Sequence, residues 1–227
     1  TPPILEMGVS GSNFYYDIPY YDSSQNLFEY LSERGESDAV SLFAEIQELI
    51  NIYSKTKYGE VIGSFSVFFA EEVEGRLTNI DSELEMTYSN GAITMDELLY
   101  AQKKIREVVP LFSQILIETE FMPIVESLTH GNLTLENALY NFDTSSIILI
   151  DPYSETYADS ILGDLSQLLQ SSIGRYEEIV AGGESSVDDF FVVATNPKKT
   201  GVYYFGELLK KYIANLKEED RRIITLF

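Results

Sequence analysis

The stretch Thr129-His130-Gly131-Asn132-Leu133-Thr134-Leu135-Glu136-Asn137, followed by the apolar run Ile147-Ile148-Leu149-Ile150 that ends in Asp151-Pro152, constrains this chain more than any other. A polar loop holding the only histidine leads into a short strand. A turn at Asn141-Phe142-Asp143-Thr144 then returns a second strand. A hairpin brings the outer ends of its strands together. Asn137, at the start of the first strand, and Asp151, at the end of the second, are therefore predicted neighbours, with Asp151 expected to be buried. A hard cation such as Mg2+ takes oxygen ligands from carboxylates, amides, phosphates and water. Asn137 and Asp151 are the candidate metal ligands on that ground.

Composition bounds the alternatives. The chain has 227 residues, with 44% apolar and 13% aromatic content, which is enough to bury a core. It contains no cysteine, which excludes disulfides and thiolate metal sites and fits a reducing cytosol. A cytoplasmic location is the expectation. No apolar run approaches the roughly 20 residues of a membrane span, and no basic-then-apolar leader opens the chain. Fifteen basic residues against thirty-seven acidic ones give a formal charge of −22. A surface of that sign repels phosphate backbones, so nucleic acid is not an expected partner; nor, without an apolar span, is a membrane. A small cationic substrate would be attracted, although high solubility alone also accounts for the charge.

Periodicity predicts a mostly helical chain. Pro3–Met7 and Asn13–Tyr20 read as extended segments around Gly8-Val9-Ser10-Gly11-Ser12. That gap reads as a hairpin turn and not as a phosphate cradle, since no helix follows it to offer amides and no basic residue precedes Arg34. Gln25–Glu33 is a short helix. A longer helix starts at Ser37-Asp38, with Val40, Phe43, Ile46, Ile50 and Tyr53 inward. Residues 61–80 are predicted helical, and Tyr88–Ala92 is a turn. Thr94-Met95-Asp96-Glu97 is a capping box opening a helix through Leu98, Ile105, Val108 and Val109 towards Leu116, with Pro110 as a kink. Gly163–Ser172 is a helix with Leu165, Leu168 and Leu169 inward. Arg175–Val180 continues it or starts a successor, and Gly182–Ser186 is a mobile loop. Tyr203–Leu216 is a last amphipathic helix, and Glu218–Phe227 closes the chain. There is no internal repeat or linker.

His130-Gly131, Asn137, Leu149-Ile150-Asp151-Pro152 and Gly163-Asp164-Leu165 together resemble the signature of the aminoglycoside phosphotransferase and choline kinase group. The resemblance implies an α+β, mostly helical fold: the C-terminal lobe of a protein-kinase-like architecture with a remnant of the N-lobe sheet and hinge. Residues 1–20 would be the last strands of the nucleotide-binding lobe and the hinge, and 21–227 the helical lobe. It implies phosphoryl transfer from ATP or GTP, with Mg2+, to a hydroxyl of a small molecule such as a sugar, an aminoglycoside or an amino alcohol. Asp17, Ile18 and Tyr20 would then meet the nucleotide base, and Pro19 would fix one dihedral beside them. By the same correspondence the family's glycine-containing loop and strand lysine lie upstream of Thr1. The chain is then either a fragment or a protein that has lost half of its nucleotide clamp.

One position departs from the signature. Asn132 stands where the family places its catalytic aspartate. An amide accepts a hydrogen bond from a substrate hydroxyl but does not take its proton, and loss of a general base costs about 10²–10⁴-fold in rate. Asn132 is thus an engineered trap, a sequencing variant, or the mark of a slow or inactive form, and a binding module without turnover is the second reading. The remaining catalytic candidates, His130 and Asp164, are expected to act as scaffold and brace of the loop. Against the brace stands a simple helix N-cap for Asp164; Arg175, after the bracing helix, could meet an anionic substrate, but a surface ion pair is the expectation. The sequon Asn132-Leu133-Thr134 is read as chance.

Overall fold

A computed structural model describes residues 5–10, 13–17, 19–61, 65–91, 93–119, 124–153, 159–180, 185–188, 191–194 and 199–226. Its elements, in chain order, begin with β1 (Glu6–Ser10), β2 (Asn13–Asp17), β3 (Ser24–Asn26), α1 (Leu27–Ser32) and α2 (Glu36–Lys55). Then come β4 (Lys57–Val61), α3 (Phe65–Ser89), α4 (Met95–Thr119), β5 (Ile124–Ser127), β6 (Ala138–Asn141) and β7 (Ser146–Leu149). The chain closes with α5 (Ile161–Ser172), α6 (Tyr176–Val180), β8 (Ser185–Asp188), β9 (Phe191–Ala194), α7 (Gly201–Ala214) and α8 (Glu218–Leu226). The class is α+β and mostly helical, with every described strand pair antiparallel: β1–β2, β3–β6–β7, β4–β5 and β8–β9.

The core forms where the apolar stripes of α1, α2, α5, α7 and α8 meet. Leu27, Leu31, Leu42, Ile46, Ile50, Leu165, Leu168, Phe205, Leu209 and Ile223 are buried there. Phe43 on α2 meets Phe205 on α7 edge-on, with ring centroids 5.4 Å apart, a favoured aromatic geometry. Gly201 opens α7 directly against α1. Its amide donates to Arg34 O at 2.8 Å, and a Cβ there would sit 2.8 Å from Leu31 O. The three-stranded sheet lies on the same core. β3 pairs with the middle strand β6 through Ser24↔Asn141 and Asn26↔Leu139, and β6 pairs with β7 through Ala138↔Leu149 and Asn141↔Ser146. Tyr30 of α1 packs at a tilt on Tyr140 of β6, ring centroids 4.7 Å apart, and Phe142 meets Tyr140 edge-on at 5.4 Å.

Several sequence expectations change at their edges. Gln25 belongs to β3, and helix α1 starts only after Asn26, whose side chain accepts from the Glu29 amide and caps it. In α2 the inward stripe is Ala39, Leu42, Phe43, Ile46 and Ile50; Val40 is exposed, because it stands one position off that face. Residues 57–61 form a strand before α3, and that helix runs on to Ser89, beyond the predicted limit of 80. Strand β1 extends through Gly8, Val9 and Ser10, so the hairpin loop is shorter than expected; Gly11 and Ser12 lie outside the described residues. Ser185 and Ser186 lie in β8 where the sequence predicts a loop, and the rest of that loop is likewise outside the described residues. The capping box forms as expected: Thr94 N donates to Glu97 Oε2 at 2.7 Å, and Glu97 N to Thr94 Oγ1 at 3.3 Å. Pro110 lies inside α4. Among the described residues no helix is long and apolar enough to cross a membrane.

Candidate functional site

The loop 129–137 is held from below by α5. Ser160 caps that helix, its Oγ accepting from the Leu162 amide at 3.3 Å, so Asp164 is not needed as a cap. Its carboxylate points at the loop instead. Oδ2 accepts from His130 N at 2.8 Å and Oδ1 from Gly131 N at 2.9 Å. Gly131 has φ +77, the left-handed region in which glycine carries no Cβ penalty, and that turn aims two successive amides at one acid. Asp164 is 0% exposed, and its pKa is pushed up to about 6 by burial, against the pull of the His130 and Gly131 amides and the Thr129 hydroxyl.

Two backbone bonds tie the loop to the far end of the hairpin. Ile150 N donates to Asn137 O at 2.9 Å, and Tyr153 N donates to His130 O at 2.9 Å. The residues flanking Asp151 are thereby fastened to Asn137 on one side and to His130 on the other. Asp151 itself has φ +54, uncommon for a residue with a side chain, and it is exposed where burial was expected. The reason is local: β7 ends at Leu149, and the left-handed residue turns the chain out of the strand before Pro152. The turn at the other end of the hairpin is fixed by Asn141, whose Oδ1 accepts from the amides of Asp143 (3.1 Å) and Thr144 (2.9 Å).

Inside the loop, Asn137 Nδ2 donates to Asn132 O at 2.9 Å, and Asn137 N donates to Thr134 Oγ1 at 3.3 Å. The nitrogen of the Asn137 amide is thus committed to the loop, which leaves its oxygen as the atom for a cation. Asn132 is part-buried between these contacts. His130 is 5% exposed, and neither ring nitrogen reaches hydrogen-bond geometry with a partner among the described residues. Burial holds its pKa below the usual range; the nearby backbone of Asn132 and Ile150 and the charge of Asp151 pull the other way. A buried imidazole can serve as a structural group as readily as a proton carrier.

Five of the eight predicted site residues therefore come together: His130, Asn132, Asn137, Asp151 and Asp164. Of the three expected nucleotide-base contacts, Asp17 and Tyr20 are among the described residues. Asp17 ends β2, Tyr20 is 91% exposed, and Ile18 lies outside the described residues. Arg175 pairs with Glu178, at part-buried positions where the sequence predicts a surface ion pair. Among the described residues no group of three or more His, Asp or Glu side chains forms a self-sufficient metal cage. An Asn–Asp pair suits a cation whose other ligands come from phosphate and water, as Mg2+ on a nucleotide does. Sequence reasoning missed Ser171 and Glu177, which hold the loop from behind. The signal for Ser171 was present, since it stands two helical turns after Asp164 on the same face. Glu177 carried no signal, because an acid in a short helix reads as a solvated one.

No family model matches the sequence, and no curated protein matches it. Among solved structures the chain is similar to a glucosamine kinase in two crystal forms. The first match has a TM-score of 0.45 at 13% identity and covers 97% of this chain and 56% of that one. The second has a TM-score of 0.41 at 12% identity, with 92% and 53% covered. The chain spans just over half the length of these proteins.

Proposed function

We propose that this chain carries the catalytic half of a phosphotransferase, which moves the terminal phosphate of ATP or GTP to a hydroxyl of a small molecule. The observation that carries the reading is the double tie at Asp151. Backbone bonds from Ile150 to Asn137 and from Tyr153 to His130 set a left-handed aspartate beside an asparagine whose amide nitrogen is already engaged. Strained backbone of this sort collects where a side chain must be presented in one orientation. In this reading Asn137 and Asp151 hold Mg2+, which would neutralise charge on the phosphates. Asp164 and Gly131 keep the loop rigid, so that residue 132 faces the acceptor hydroxyl within in-line reach. Asn132 orients that hydroxyl by accepting its hydrogen bond and leaves the proton to solvent.

An acidic surface favours a cationic acceptor, such as an amino sugar, an aminoglycoside or an amino alcohol. The second reading, a nucleotide-binding module without turnover, is favoured by Asn132 alone. The test is Asn132→Asp. With MgATP or MgGTP and a panel that includes glucosamine, aminoglycosides and choline, phosphorylation is expected to rise about 10²–10⁴-fold over the parent chain. Binding of Mg-nucleotide by both proteins with turnover by neither would leave the binding module standing. Binding by neither would end the proposal.

A further inference from the structure

Asp164 and Ser171 stand seven residues apart on α5, so their side chains leave one face of the helix about 10 Å apart along its axis. Asp164 holds the front of the loop through His130 and Gly131. Ser171, fully buried, holds the back: its Oγ accepts from the Leu135 amide at 2.9 Å. The proton of that hydroxyl goes to Oε1 of Glu177, an acid in the first turn of α6 that is 2% exposed. The carbonyl of Leu135 accepts in turn from Leu27 N at 3.0 Å, so this residue's backbone is gripped on both sides. Leu135 lies three residues after Asn132 and two before Asn137.

A helical serine ordinarily donates to the carbonyl one turn back. The adjacent Ser172 does this, its Oγ donating to Leu168 O at 2.6 Å. Ser171 is prevented from doing so because Glu177 takes its proton, which turns an oxygen lone pair towards Leu135. The acid does this at a cost. Its other oxygen, Oε2, is buried with no hydrogen-bond partner among the described residues, and a carboxyl group in that position is a poor stabiliser of a fold. What it accomplishes is to set one hydroxyl in one orientation.

We propose that Glu177 is a positioning residue for the candidate site: acting through Ser171, it fixes the Leu135 backbone and so aims Asn132 and Asn137 at the metal-bound nucleotide. The proposal rests on the phosphotransferase reading. Its test uses the 227-residue chain in four forms: parent, Glu177→Ala, Glu177→Gln and Ser171→Ala. Amide hydrogen exchange is followed by mass spectrometry, and MgATP and MgGTP binding by calorimetry. Removing either partner is expected to speed exchange across residues 132–137 roughly tenfold and to weaken nucleotide binding by a similar factor, with α2 and α7 unchanged. Glu177→Gln keeps an oxygen acceptor for Ser171 and is expected to stay within about threefold of the parent on both readouts. Glutamine failing to rescue, or alanine leaving the loop protected, would overturn the proposal. Should Glu177→Ala not fold, Ser171→Ala reads the same contact from the other side. Faster exchange in the variants of a parent that binds neither nucleotide would sink the phosphotransferase reading, and with it the aiming role, while leaving the loop contact demonstrated.

Discussion

Asp164 sits at the point where burial and hydrogen bonding pull one side chain in opposite directions. Two backbone amides favour its charge, and the absence of water opposes it more strongly, which raises its pKa from 3.8 to about 6. A folded-state pKa above the unfolded one means that the native protein binds the proton more tightly. The resulting stability is complete below about pH 4 and is lost as pH rises through about 6. Its full size is up to about 3 kcal/mol. Asp164→Asn cannot titrate and also presents a donor where an amide now donates. The stability gap between parent and Asp164→Asn, measured by urea unfolding, is therefore expected to narrow as pH is raised from about 4 to about 7. A gap that widens over that range would show that the amides, and not burial, govern the acid. At this scale the sequence was legible where a residue type is rarely used for anything else. The backbone on either side of Asp151 is fastened to Asn137 and to His130, as a hairpin turned at Asn141 implies. The exposure of Asp151 was not legible, because a strand pattern ending in aspartate carries no sign of a left-handed residue.

At the scale of elements, the start of α7 on α1 is a tight junction. Gly201 brings its amide to Arg34 O, and any side chain there would have to displace the backbone of Leu31 and one of its methyl groups, the latter 2.9 Å away. Gly201→Ala is expected to cost about 1–3 kcal/mol in urea unfolding, as overpacking does in other cores. An unchanged midpoint would mean that α7 slides away from α1 freely. The long helices were readable because an apolar stripe at three- and four-residue steps matches the helical period and no strand period, as in α2 and α5. The short strands β3, β4 and β5 were not. Each is three to five residues long, and what makes it a strand is its partner across the ladder: Asn141 for Ser24, and Ile124 for Val61. Nothing local distinguishes such a segment from a loop. Helix α1 illustrates the same limit, since apolar spacing places its start too early and the Asn26 cap sets the true one.

For the whole molecule, a formal charge of −22 is a standing self-repulsion. The ion pairs of Lys103, Lys104, Lys210 and Arg222 are short-range helical contacts at partly exposed positions, which contribute little against it. Raising NaCl from about 20 mM to about 300 mM shortens the Debye length from roughly 20 Å to roughly 6 Å and should raise the melting temperature by several degrees. A lowered melting temperature would indicate that specific ion pairs outweigh the net field. The acid-rich composition foretold this property but nothing about the fold. The resemblance carried by the loop and hairpin, in turn, implied an α+β, mostly helical class, which the chain has, and gave no hold on residues 181–198. The residues that give the loop its shape follow its end by 27 to 40 positions, at 164, 171 and 177. During vectorial synthesis the loop leaves the ribosome well before its props exist, so its ordering must be among the later steps of maturation. On the proposed reading, a nascent chain stalled short of residue 177 would already carry Asn137 and Asp151, on a loop still lacking its last prop.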